Sequence, residues 1–267
     1  MTRPFVESEL LVCFICDDEH MDPLVWNFRL DGDNFDVRTV QELFSEEASI
    51  RMLDDGCHHL QIKLPFPSSD AQAAQATAEE LLCKLNGIAQ ILHGNHRNLR
   101  ITGVSWQETL DGARTSIIML AGIETRARLG FPTIGNGSHP TAAASHDSMG
   151  DRFLNSADKD EHFERALYLY GGLIQDWRGL FMVVEAAEDG NGGETGLIKK
   201  LWVPDRQIKA FKATANSFKA IGLHARHGSV SLGVPRPEQT FDEARTMVRT
   251  ILECWGKELG MRGTGSA

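Results

Sequence analysis

The sequence predicts an α+β protein, in which a mainly antiparallel N-terminal sheet with one covering helix is followed by a flexible linker and a C-terminal all-α helical bundle. Short apolar runs alternate with polar turns over residues 10–66, a pattern typical of strands and hairpins. From residue 158 onward, apolar residues instead recur at steps of three and four, which indicates amphipathic helices. Residues 130–158 are rich in Gly, Ser and Ala without periodicity, so we expect the linker there.

The N-terminal domain is expected to span residues 1–129. Its strands are predicted from runs rich in Val, Ile, Leu and Phe, namely LLVCFIC, LVWNFRL, FDVRTV, SIRML, HLQIKLPF, NLRITGVSWQ and ARTSIIMLAGIET. Asp-Gly pairs at residues 31–32 and 55–56 indicate hairpin turns between neighbouring runs. One helix is predicted after Asp70, because apolar residues recur there at helical spacing up to a stop at Gly94.

The helical bundle is expected to span residues 159–259. Its first helix is predicted to be long, because a continuous apolar stripe precedes the Gly-rich loop at residues 188–196. The Gly171-Gly172 pair within this helix indicates either a kink or the close approach of another helix. Two more helices and a disordered tail are predicted, at residues 205–218, 241–259 and 260–267.

The composition limits the classes of function. The formal net charge of -10 argues against a protein that coats nucleic acid by bulk attraction. No apolar run approaches the ~20 residues of a membrane-spanning helix, so no membrane partner is expected. The odd number of Cys residues, without framework spacing, fits a reducing compartment, and we expect a cytoplasmic protein. Cys13 and Cys16 have CxxC spacing, but no second pair completes a zinc site, which favours core positions.

One stretch, residues 211–228, brings together two Lys, one Arg, two His and one Asn that are able to bind an anion, and no carboxylate close by in sequence neutralises them. Imidazole transfers protons near neutral pH, and guanidinium binds two oxygens of a phosphate. Together they predict a metal-independent site that cleaves RNA. The candidate catalytic residues are Arg226, His227 and His224, and the candidate phosphate-binding residues are Lys212, Asn216 and Lys219.

Two other interpretations of this stretch stay open. Arg and His near a helix C-terminus complement the helix dipole, in which case the loop only joins two helices. The same side chains also bind a phosphate or an acidic protein partner without cleaving anything. No metal or other cofactor is expected, because His93 and His96 have no further ligand nearby in sequence to complete a shell.

Three segments resemble HEPN domains, which are helical bundles of many prokaryotic toxins and antiviral effectors. They are the long Tyr-containing helix through Glu185, the segment FKATANSFKAIGLHARHG and the closing FDEARTMVRTILECW. A strand-rich domain before such a bundle is similar to the ApeA-like members. The resemblance covers residues 158–259. It implies a metal-independent endoribonuclease in defence, which forms a homodimer through the helical bundle and has an N-terminal domain for recognition.

The spacing of the basic residues departs from the pattern of that family, in which four to six residues separate an Arg from a following His. Here Arg226 and His227 are adjacent, and Lys219 is the basic residue at that spacing before His224. A Lys lacks the planar bidentate contact of an Arg. Either the site uses Arg226 with both His residues in another geometry, or the bundle binds RNA without cleaving it.

Overall fold

The computed structural model describes residues 24–44, 49–64, 70–94, 96–108, 114–118, 148–172, 176–226 and 233–263. An N-terminal antiparallel sheet precedes a helical part, which confirms the predicted α+β class. The strands are β1 Leu24–Asp31, β2 Ser49–Met52, β3 His58–Leu64, β4 Arg100–Glu108 and β5 Arg114–Ile118. The helices are α1 Asn34–Leu43, α2 Ala71–His93, α3 Met149–Ala157, α4 Glu161–Gly172, α5 Trp177–Gly190, α6 Gly193–Lys199, α7 Asp205–Asn216, α8 Phe218–Ile221 and α9 Phe241–Gly263.

The strands form one antiparallel sheet in the order β2-β3-β1-β4-β5. In the central strand β1, Trp26, Phe28 and Leu30 are buried on one face, whereas Arg29 and Asp31 are exposed on the other, where Asn27 is buried and accepts a hydrogen bond from Gln61. This alternation is expected of a sheet that packs one face against the core. The Asp55-Gly56 pair lies in the turn between β2 and β3, as the sequence predicts.

The prediction of a strand for FDVRTV is wrong, because residues 34–43 form helix α1. Asp33 caps the helix, since its side chain accepts a hydrogen bond from the backbone amide of Phe35 (2.9 Å). Val37, Val40 and Leu43 lie on the buried face at helical spacing. The Asp-Gly pair at residues 31–32 therefore leads from a strand into a helix and not into a hairpin.

Helix α2 confirms the prediction of a helix that ends at Gly94. It contacts the helical part directly, because Gly87 of α2 meets Gly171 of α4 with their backbones in close contact. One hydrophobic core consequently includes Phe28 from the sheet, Leu85 from α2 and Trp255 from α9. The predicted linker separates the two parts along the chain, but their buried side chains form a single core.

The prediction of a flexible linker is wrong for the second half of that segment, since residues 149–157 form helix α3. Ser148 caps this helix by accepting a hydrogen bond from the Asp151 amide, and Phe153 and Leu154 are buried. Phe153 packs edge-on against Phe163 with the ring centroids 6.0 Å apart. Residues 130–147 lie outside the described residues, as do Cys13 and Cys16.

The single long helix predicted after residue 158 is divided into α4 and α5. The Gly171-Gly172 pair ends α4, and the Asp176 side chain caps α5 by accepting a hydrogen bond from the Gly179 amide (2.9 Å). The segment predicted to be a Gly-rich loop also contains helix α6. Packing against α5 stabilises this short helix, in which Leu197 is buried.

The last helix begins with the capping box that the Thr240 and Glu243 spacing predicts. The Thr240 amide donates to Glu243 Oε2 (2.8 Å), and the Glu243 amide donates to Thr240 Oγ1 (3.3 Å). The helix continues to Gly263, so the prediction of disorder from residue 260 is wrong for its first residues. No helix among the described residues has the length and hydropathy to cross a membrane.

Candidate functional site

The predicted basic residues lie around a turn that follows helix α8. Residues 222–224 form a 3₁₀ turn that starts at Gly222, whose φ of 60° is readily adopted by a glycine. The Arg226 amide donates to the Ala215 carbonyl (2.9 Å) and fixes the turn against the end of α7. His224 and Arg226 are exposed on this turn. We call residues 219–226 the basic turn.

Arg178, in the first turn of α5, holds the basic turn in place. It donates from Nε to the Ala225 carbonyl (3.2 Å) and from Nη2 to the Leu223 carbonyl (2.9 Å). These two carbonyls flank His224, so the backbone that carries this imidazole is fixed on both sides. Sequence reasoning missed Arg178. The sequence offers no signal for it, because one long helix is predicted here and the start of α5 at Trp177 is not.

Arg226 lies over a buried aromatic ring and forms an ion pair. Its guanidinium carbon is 4.3 Å from the centroid of Phe181, and its Nη2 is 2.9 Å from Glu185 Oε1. The side chains of Arg226 and Glu185 are 40% and 36% exposed, so this is a surface pair. Such a pair contributes about 0–1 kcal/mol. The orientation of Arg226 is thus defined, while its ion pair is weak enough to exchange for another anion.

Lys212 forms two ion pairs that its neighbours in sequence do not predict. Its Nζ lies 2.7 Å from Glu188 Oε1 and 2.7 Å from Glu194 Oε2. Partial burial alone would lower the pKa of Lys212, but the hydrogen bonds to Glu188 and Glu194 outweigh that effect and raise it. A phosphate contact through Lys212 would require breaking both pairs. The expectation that no carboxylate neutralises these basic residues therefore does not hold for Lys212 or Arg226, whose partners come from α5 and α6.

We expect the Lys212→Met variant to lose about 1–2 kcal/mol of unfolding free energy at neutral pH. The Met keeps most of the apolar stem, but it leaves the Glu188 carboxylate, which is 13% exposed, without its cation. Lys209→Met is the matched control, because Lys209 is 62% exposed and forms its ion pair with Asp205 one turn away. Urea denaturation of both variants measures the difference, and equal losses would contradict a structural role for Lys212.

The structure brings some of the predicted residues together and not others. Lys219, His224 and Arg226 are exposed on the basic turn. Asn216 lies at the end of α7 with its Oδ1 buried, so this oxygen does not face solvent, and it has no hydrogen-bond partner among the residues that the structure describes. His227 lies outside the described residues. Among the residues that the structure describes, no hydrogen bond orients the imidazole of His224.

Two buried His residues outside the basic turn have structural roles. His96 is 4% exposed, and its Nε2 is 3.0 Å from Asn86 Oδ1. His59 is fully buried, 3.0 Å from Asp55 and against the ring of Trp106. No group of three or more His, Cys, Asp or Glu side chains within the described ranges is arranged to hold a metal ion.

Comparisons with protein-family models, with curated proteins and with solved structures found no match to this chain. The resemblance to HEPN domains therefore stays a prediction from the sequence.

Proposed function

We propose that this chain binds the phosphate backbone of single-stranded RNA at the basic turn without cleaving it. The observation that carries the proposal is the bracing of the turn by Arg178, which donates to both carbonyls that flank His224. Lys219, His224 and Arg226 are thereby presented to solvent on a fixed backbone. A preorganised set of donors binds an anion without the cost of ordering a mobile loop.

A phosphate is able to replace Glu185 as the partner of Arg226. The existing pair is a surface pair worth about 0–1 kcal/mol. A phosphate that accepts two parallel hydrogen bonds from a guanidinium gains roughly 1.5–3 kcal/mol for each charge-assisted bond. Lys219, which is exposed on the turn, and Arg178, which contacts the turn, add positive charge that favours the exchange. The Phe181 ring keeps the guanidinium oriented throughout.

The chemistry of the turn supports contact with the backbone of RNA and not with its bases. Stable base recognition in single strands uses exposed aromatic rings, whereas Phe181 is 2% exposed and covered by Arg226. The overall charge of -10 also restricts attraction to the immediate surroundings of the turn. We therefore expect weak, sequence-independent and salt-sensitive binding.

Cleavage is the second candidate function, because the exposed His224 lies only two residues from Arg226. A general base has to be oriented towards the hydroxyl group that it deprotonates. Binding has more support, since no described residue orients the His224 imidazole. The HEPN-like resemblance nevertheless implies an endoribonuclease, so each binding experiment is designed to detect products as well.

The test is a titration of a fluorescent single-stranded RNA with the full chain, in chelator, between 50 and 200 mM salt. With about three phosphate contacts, log K should fall with log salt at a slope of about -2. Lys219→Ala with Arg226→Ala should weaken binding roughly tenfold or more and reduce the slope to about -1 or less in magnitude. The control variant, Lys209→Ala, removes an exposed cation of α7 and should change neither quantity.

Three outcomes decide between the candidates. Salt-dependent binding without product, lost in the double variant, supports the proposal. If RNA products form in chelator and the His224→Ala substitution abolishes them, the function is cleavage and not binding alone. Equal affinity of wild type and double variant would contradict an RNA site at the basic turn.

The remaining parts of the proposal rest on the sequence. The resemblance supports a homodimer through the helical bundle, and the Cys content supports a cytoplasmic location. Sedimentation equilibrium of the free chain and of its RNA complex tests the dimer, because a bundle-mediated dimer has the same stoichiometry in both.

A further inference from the structure

A cleft of about 590 Å³ lies between α7 and α9, away from the basic turn. Arg206, Gln207 and Ala210 line it from α7, on the side of that helix opposite Lys212. Its floor is apolar, and the side chains that form the floor include Val203 and Met247, which are 7% and 3% exposed. We call it the α7–α9 cleft. Its volume is in the range that holds a small ligand or a few side chains of a partner.

An exposed leucine is the chain neighbour of a residue that lines this cleft. Leu201 immediately precedes Trp202, which lines the cleft, and its side chain is 83% exposed. Its φ of 57° places it in the left-handed region, and it is the non-glycine residue with a positive φ among the described residues. A leucine is disfavoured there because its Cβ approaches the following carbonyl oxygen. The leucine side chain gains almost no burial in the free chain, so contact with an apolar partner would offset this disadvantage.

The rim of the cleft is acidic. Glu238, Asp242 and Glu243 line it, against the single guanidinium of Arg206. Hydrogen bonds from the amide and hydroxyl of Thr240 lower the pKa of Glu243 and keep this carboxylate ionised. Asp242 and Glu243 also complement the dipole of α9, whereas Glu238 precedes the helix and has no such role. This rim repels the phosphates of RNA and attracts a cationic partner.

We propose that the α7–α9 cleft and Leu201 together form a docking site for a protein segment that carries apolar side chains and at least one Lys or Arg. The apolar side chains would contact Leu201, Trp202 and Met247, and the cation would lie between Glu238 and Asp242. The proposal is independent of RNA binding, because no residue of the basic turn lines the cleft. The chain would then hold RNA at the basic turn and a basic protein segment at the cleft.

The probe is a displayed library of random dodecapeptides selected against the full chain. Selected peptides should be enriched in Lys or Arg together with apolar residues. Synthetic copies of them should bind Glu238→Gln with Asp242→Asn at least tenfold more weakly than wild type. Asp189→Asn is the matched control, since Asp189 is an exposed carboxylate on α5 that pairs with Arg165, and it should bind as wild type does.

Leu201→Gly separates binding from folding. Glycine adopts the left-handed conformation freely, so the melting temperature should stay the same or rise by up to about 4 °C. Peptide affinity should nevertheless fall at least fivefold, because the exposed apolar contact is gone. A variant that folds better and binds worse cannot be explained by a structural role for the leucine.

Several results would overturn the proposal. Peptides without basic residues, or peptides that bind all variants equally, would contradict the role of the acidic rim. A selection that yields no peptide competing at this cleft would contradict the docking site. Self-association of the chain that is lost in the Glu238→Gln, Asp242→Asn variant would show that a second copy, and not another protein, occupies the cleft.

Discussion

Gly171→Ala should destabilise the protein by about 4 kcal/mol or more, the largest effect of any single substitution proposed for this chain. A Cβ at this position would lie 1.9 Å from the Cys83 carbonyl oxygen and 2.3 Å from the Gly87 amide nitrogen. Both atoms belong to the backbone of α2, which cannot shift locally without losing its own hydrogen bonds. The added methyl group therefore has to push α4 away from α2. This movement would also separate the two parts of the core to which these helices belong.

Gly172→Ala is the matched control for this experiment. A Cβ at Gly172 would meet only the Cys83 side chain, with Sγ at 3.3 Å, and this side chain can move by a few tenths of an ångström. Urea denaturation followed by far-UV circular dichroism should show a greatly reduced midpoint for Gly171→Ala and a nearly unchanged one for Gly172→Ala. Equal midpoints would contradict the close approach of α2 and α4.

The close approach of α2 and α4 also shows where sequence reasoning about the fold succeeds and where it stops. Half-buried strands such as β1 alternate in polarity, and long amphipathic helices such as α2 and α9 have clear periodicity, so these elements are predictable. The Gly171-Gly172 pair indicates either a kink or a close approach, and the structure shows both an end of helix α4 and a contact. The partner in that contact, Gly87, lies far away in sequence and could not be inferred.

Two of the wrong predictions, those for the segments that form α1 and α3, have a common cause. The local signals of both segments are ambiguous. The run FDVRTV is rich in Val and resembles a strand, but Asp33 caps it and Val37, Val40 and Leu43 share one helical face. Helix α3 is short and lies next to a segment rich in Gly, Ser and Ala, so its composition resembles a linker. Its stability comes from burial of Phe153 and Leu154 in the common core, which is a tertiary effect.

The exposure of the candidate basic residues could be predicted from the sequence, but their electrostatics could be predicted only in part. A high local density of basic residues identifies the basic turn, and Lys219, His224 and Arg226 are exposed there. The carboxylates that pair with Arg226 and Lys212 belong to α5 and α6, and helix packing brings them to the turn. The same packing supplies Arg178, whose contacts with the turn depend on the start of a helix that the sequence did not reveal.

His96 should make the stability of the fold depend on pH. The side chain is 4% exposed, and its Nε2 donates to Asn86 Oδ1, which also accepts from the Leu99 amide (2.9 Å). Asp36 Oδ1 is 3.5 Å from Nδ1, yet Nδ1 has no hydrogen-bond partner within the described part of the chain. Burial, with a smaller contribution from the charge of His93, lowers the pKa of His96 from 6.5 to about 4. The contact with Asp36 at neutral pH is therefore made by an uncharged ring.

The unfolded chain protonates this imidazole below a pKa of about 6.5, whereas the folded chain resists protonation down to about 4. The contribution of neutral His96 to the free energy of unfolding is consequently fully present above pH 6.5. It is lost as the pH falls from 6.5 towards 4, by roughly 2 kcal/mol at pH 5 and about 3 kcal/mol at pH 4. The His96→Gln variant keeps an amide donor near Asn86 and cannot titrate, so its free energy of unfolding should fall less over this range. Urea denaturation at pH 7, 6 and 5 measures the difference, with His162→Gln as the control because that side chain is 38% exposed. Parallel pH profiles for wild type and His96→Gln would contradict a neutral buried imidazole.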